Sequence, residues 1–158
     1  MNFHTNELIL DLPEIISDRS VNVLTVAAPQ GGVPFQIIIN RDLLLNGESL
    51  QQCFDRQVAQ MTRQTKVLKV VSKRSVQIGQ EQLDGLEIES SFNQAGKNHH
   101  QIQAMWVTQA PNLLVLTLSS PVAIRDSHRA VWQQALNSLI SRPADTGSST
   151  TANPVKPS

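Results

Sequence analysis

The chain has 158 residues, enough for one domain to bury a core without help from metals or disulfides. Thirteen basic residues cancel thirteen acidic ones, and charged residues make up 16 % of the chain against a typical ~25 %. That balance argues against nucleic acid, which demands clustered Lys and Arg, and against docking on anionic lipid.

Taken in chain order, NELILDL (residues 6–12) reads as a short strand ended by Pro13. The opening MNFHTNELILDLPE has neither a basic start nor an apolar run fit for a signal peptide, so a soluble, cytoplasmic protein is expected. Residues 19–27 and 34–41 are β-branched runs separated by PQGGVP, a turn signal. Asn46-Gly47-Glu48-Ser49 then leads into a helix over about 48–65. Its Leu50, Phe54, Val58 and Met61 recur at helical spacing as one buried stripe.

Residues 66–78 and 82–92 read as a hairpin closed at Gly79-Gln80-Glu81. Residues 98–109 and 112–120 form a second hairpin turning at Ala110-Pro111-Asn112. A last helix is expected over about 123–141. The following PADTGSSTTANPVKPS has too little apolar content to fold, so 1–142 is expected to be a single domain and 143–158 a disordered tail.

Strand alternation separates two faces. Leu86, Ile88 and Phe92, Ile102, Ala104 and Trp106, Leu114, Leu116 and Leu118, and Phe35, Ile37 and Ile39 are expected to form the core under the helices. The opposite face then carries Glu87 and Glu89, Gln101, Gln103, Met105 and Val107, Leu113, Val115 and Thr117, with Gln36, Ile38 and Asn40. An exposed sheet face is ordinarily polar. This one is mixed, and the chain's sixteen glutamines keep it polar without the desolvation cost of burying ions.

Catalysis finds little footing. His99 and His100 are adjacent on a strand and point to opposite faces, so they do not converge on a metal. Asp126-Ser127-His128 contains the triad residue types, yet neighbours at a helix start lack the relay geometry, and Asp126 or Ser127 is expected to cap the helix. Glu87 and Glu89 share a face and are read as solvated glutamates rather than a catalytic pair. Cys53 lies in the first helix without a histidine partner, and Gly31-Gly32 is a turn rather than a phosphate loop. No cofactor is expected. Binding remains. Val21, Val23 and Ile38, placed outward with Met105, Val107 and Val115 and edged by Gln101 and Gln103, would make an apolar patch of the kind that marks an interface or fills a homodimer seam.

The order and spacing of Leu12-Pro13-Glu14, Asp18-Arg19-Ser20, Asn22, Pro34-Phe35, Ile39, Arg41-Asp42, Gly47-Glu48, Arg56-Gln57, Gly85, His100-Gln101, Gln103-Ala104 and Trp132 resemble the DcrB-like domain family over roughly residues 6–142. The closest resemblance is to its Eag branch, the cytoplasmic chaperones of type VI secretion effectors. His99 stands where that pattern has an aromatic. The resemblance implies an α+β fold, a curved antiparallel β-sheet packed against two main helices in the Mog1/PsbP-like style, in a small homodimer. It implies a non-enzymatic chaperone that shields the N-terminal transmembrane helices of a PAAR-domain or Rhs-type effector before loading on the VgrG spike. Under that reading the client-binding residues are Val21, Val23, Ile38, Gln57, Gln101, Gln103 and Met105. A non-catalytic adaptor of the wider fold, acting in envelope or signalling assembly, is the alternative. A hydrolase lacks the polar pocket it would need.

Overall fold

The computed structural model describes residues 2–4, 7–14, 18–28 and 31–141; the tail expected over 143–158 lies outside them. The chain divides into two compact units, Met1–Asp18 with Ser141–Ser158, and Arg19–Ile140. In the first, β1 (Asn2–His4) pairs antiparallel with β2 (Ile9–Asp11). The expected strand over 6–12 is thus shorter, stopping before Leu12 and Pro13.

The second unit carries β3 (Val21–Val26), β4 (Phe35–Leu43), α1 (Leu50–Gln64), β5 (Lys66–Ile78), β6 (Leu83–Gln94), β7 (Lys97–Gln109), β8 (Asn112–Ser120) and α2 (Asp126–Ser138). Its strands form one curved antiparallel sheet in the order β3-β4-β8-β7-β6-β5. Four hairpins, β3–β4, β5–β6, β6–β7 and β7–β8, account for most of that order. The exception is the β4–β8 pairing, which brings the first hairpin beside the last strand. The architecture is α+β, with the strands and both helices where the sequence periodicity puts them.

Cross-strand partners share a face, so the register sorts every side chain. One face carries the row Asn22, Ile39, Leu116, Ala104 and Glu87, and the row Leu24, Ile37, Leu118, Ile102 and Glu89. Trp132 and Leu136 of α2 pack onto it with Phe35, Ile78 and Trp106. The other face carries Val23, Ile38, Thr117, Gln103 and Ile88, and beside them Val21, Asn40, Val115, Met105 and Leu86. Cys53 and Phe54 of α1 pack there against Ile88, Met105, Leu113 and Val115. The two helices therefore cover opposite faces, not the single face expected.

That arrangement corrects two expectations. Leu86 and Ile88 belong under α1 and lie on the face opposite Ile102, Ala104 and Trp106. Glu87 and Glu89 are not solvated but sit beneath α2. Glu87 is 3 % exposed, and it accepts from Trp132 Nε1 at 2.7 Å and from Arg74 Nε at 2.7 Å. Glu89 accepts from Arg129 Nε and Nη2 at 3.1 and 2.8 Å. A buried carboxylate is tolerated when opposite charge and donors surround it. Charge type alone does not reveal such partners, since they come from β5 and α2.

Local chemistry fixes the helix ends. Ser49 and Gln52 form a reciprocal capping box, the Ser49 hydroxyl accepting from Gln52 N and the Gln52 side chain from Ser49 N. Just upstream, Glu48 accepts from Leu45 N and takes both Nε and Nη2 of Arg56 at 2.7 and 3.0 Å. At the far end of α2, the β5–β6 turn closes the helix, with Gly79 N donating to Leu136 O and Gln80 N to Leu139 O. Gly79 has φ +73°, and a Cβ there would stand 2.6 Å from Leu139 O. Only glycine suits that turn.

Candidate functional site

The sheet face under α1 is only partly covered. The helix closes over Ile88, Met105, Leu113 and Val115, and leaves the β3–β4 side open. Val21 and Val23 are each 55 % exposed there, while Ile38, Gln101 and Gln103 are half-buried. Six of the seven expected binding residues therefore share one face and retain exposure: Val21 and Val23 on β3, Ile38 on β4, Gln57 on α1, Gln101 and Gln103 on β7. Met105 shares the face but is 6 % exposed beneath α1. As a member of a bare apolar patch it is corrected, and Val115 with it. Both are core because α1 lies across them, and strand alternation cannot register a helix overhead.

The polar side chains are ordered by one another. Gln101 Nε2 donates to Gln103 Oε1 at 3.3 Å, and Gln103 Nε2 donates to Thr117 Oγ1 at 3.1 Å. Gln101 Nε2 also lies 3.9 Å from Met61 Sδ. Gln57 Nε2 donates to Asp42 Oδ2 at 3.1 Å, tying α1 to β4. Asp42 also accepts from Leu43 N and lies 3.7 Å from the Arg19 guanidinium. Thr117, Met61 and Asp42 thus complete the site, though sequence reasoning did not assign them to it. Thr117 was visible as the one polar residue in its strand between leucines, and Met61 lies one helical turn after Gln57.

A narrow cleft of about 80 Å³ runs between α1 and the sheet, lined by Phe54, Gln57, Val58, Met61, Gln103 and Met105 among others. Alongside it a polar groove of about 290 Å³ is edged by Asp42, Arg56, Gln57, Gln60, Met61 and Gln64. Gln57, Gln60, Met61 and Gln64 follow helical spacing, so one stripe of α1 forms the wall. The Glu48 carboxyl is held down to about 2, first by the Arg56 guanidinium, then by the Leu45 amide. It stays ionised and anchors the N-terminal turn. Burial pushes the Cys53 thiol up from its ordinary value, with Glu48 beside it adding to the effect, so this cysteine is an unreactive core residue. Among the described residues no cluster of three or more His, Cys, Asp or Glu is placed to hold a metal. No described helix is long and apolar enough to cross a membrane.

The DcrB family model matches residues 7–138. The chain belongs to the DcrB family. This family member is similar to the Pseudomonas aeruginosa protein named Effector EagT6, at 20 % identity over 141 residues, covering 89 % of this chain and 96 % of that protein. Its fold is similar to a solved Pseudomonas aeruginosa protein of unknown function, PA94, with a TM-score of 0.73 and 19 % identity, covering 91 % of this chain and 98 % of that one. Nearly the whole length of both relatives is matched, and the likeness to the solved structure shows that the two share a fold.

Proposed function

We propose that this DcrB family member is a cytoplasmic, non-enzymatic chaperone associated with a type VI secretion effector. Its client is the N-terminal transmembrane region of a PAAR-domain or Rhs-type effector, held by a homodimer until the effector is loaded on the VgrG spike. Similarity to Effector EagT6 over most of both chains supports the effector association. The observation that carries the client chemistry is the continuous uncharged row Val23, Ile38, Thr117 and Gln103 across three neighbouring strands and the edge strand β3.

A membrane-bound helix in water must hide apolar side chains and satisfy the few polar ones it carries. Val21, Val23 and Ile38 offer apolar area, each fully covered side chain contributing roughly 1.5–3 kcal/mol. Gln57, Gln101 and Gln103 offer amides that donate and accept without leaving a buried charge. Cleft and row adjoin, so one helix lying against α1 reaches both. Co-expression with the N-terminal fragment of a PAAR-domain or Rhs-type effector from the same genome tests the reading. The fragment is expected to be soluble only in the presence of this chain. A fragment equally soluble alone contradicts a shielding role.

A further inference from the structure

The second helix begins on an unusual cap. Residues of the Asp126-Ser127-His128 run were expected to cap it through Asp126 or Ser127. Instead Asp126 Oδ1 pairs with Arg129 Nη1 at 3.2 Å, and the cap comes from His128, whose Nδ1 accepts from the Arg125 backbone N–H at 3.0 Å. The ring is 5 % exposed and meets Phe35 of β4 edge-on, with centroids 5.5 Å apart. It joins the start of α2 to the start of β4. Accepting at Nδ1 requires that nitrogen to carry no proton, so the neutral ring holds its hydrogen on Nε2.

We propose that His128 is an acid-operated latch, its neutral ring holding the first turn of α2 against the sheet and its protonation releasing that turn. A proton on Nδ1 would face the Arg125 N–H donor for donor and delete the cap. It would also place a cation at a helix N-terminus, where the dipole already favours negative charge. The charged groups around the ring make this worse. Arg125, just before α2, and Arg129 on it flank the ring. Asp126 on the same helix and Glu89 from β6 carry the compensating charge, but both already engage Arg129. From β4 the contact is the uncharged Phe35 ring.

Burial first, then Arg125 and Arg129, lowers the proton affinity of the ring below its ordinary value. In the unfolded turn the same histidine takes its proton near the ordinary value of about 6.5. The open form therefore binds more protons, and the latch loses stability as pH falls below that value. Trp132 lies one turn further along α2, buried, and is one of only two tryptophans in the chain.

The test is tryptophan emission and near-ultraviolet circular dichroism of the full chain between pH 8 and pH 5. In the wild type the emission shifts to the red on acidification, the opening equilibrium rising by up to about tenfold per pH unit. His128→Gln, which keeps an acceptor but cannot titrate, is expected to remove that pH dependence. The double variant His99→Gln, His100→Gln is expected to leave it intact. Should the glutamine variant not fold, the imidazole resonances of the wild type serve instead: the His128 ring titrates below its ordinary value together with the Trp132 signal. An absent transition, one unchanged in His128→Gln, or a His128 titration uncoupled from Trp132 overturns the proposal.

Discussion

Single side chains divide this molecule into parts that hold and parts that are held. Glu87 illustrates the first kind. It is surrounded by Arg74 from the neighbouring strand and Trp132 from α2, so removing it strands a buried indole N–H. Glu87→Ala is expected to cost about 1–3 kcal/mol in urea unfolding, with a near-ultraviolet signal that reports a loosened Trp132. Glu48 illustrates the electrostatic version. Its carboxyl lies at about 2 in the folded chain against an ordinary value of 4.5. The folded state thus gains stability above the ordinary value, and that gain disappears as pH falls through it toward 2. Arg56→Ala removes the largest cause of the shift, so the acid limb of the unfolding curve is expected to move to higher pH. Both glutamates were visible as residues. Their side-chain partners lie 8 to 45 positions away in sequence, and no local pattern announces them.

At the scale of elements, the periodicities carried nearly everything except which helix lies on which face. The register of β4, β7 and β8 follows the alternation of Phe35, Ile37 and Ile39, of Ile102, Ala104 and Trp106, and of Leu114, Leu116 and Leu118. Strand β6 breaks the inference because it is covered on both sides: Leu86 and Ile88 face α1, Glu87 and Glu89 face α2. A strand between two helices offers no solvent face, and the apolar side is then only one of two cores. The same cause moves Met105 from surface to interior. Met105→Ala is expected to destabilise the fold by about 2–5 kcal/mol, as for other large core truncations, and thermal unfolding measures it. A residue as exposed as Val23 should change stability by only about 0.5 kcal/mol on substitution. That contrast separates the seven expected site residues into six and one.

For the whole molecule, the proposed role rests on a sheet whose two faces are covered by different helices and whose edge strand β3 is left exposed. On the first face, α2 covers the centre with Trp132, Leu136 and two satisfied carboxylates and leaves Leu24 exposed at the β3 edge. On the second, α1 stops short and leaves Val21, Val23 and Ile38 beside an ordered amide row. That exposure was legible in outline, because apolar side chains alternate on both sides of β3. Its depth was not, because coverage by a helix is a matter of tertiary packing. Adjacent residues of β3 offer the sharpest contrast: Val23 points to the open face, and Leu24, 52 % exposed, points to the other. Introducing the same charge at each changes composition equally and geometry oppositely. The decisive measurement is the affinity of the purified chain for the effector's N-terminal fragment, comparing wild type, Val23→Asp and Leu24→Asp. The account predicts that binding is lost in Val23→Asp and kept in Leu24→Asp, with both variants folded; equal binding by the two variants, whether retained or lost, would contradict it.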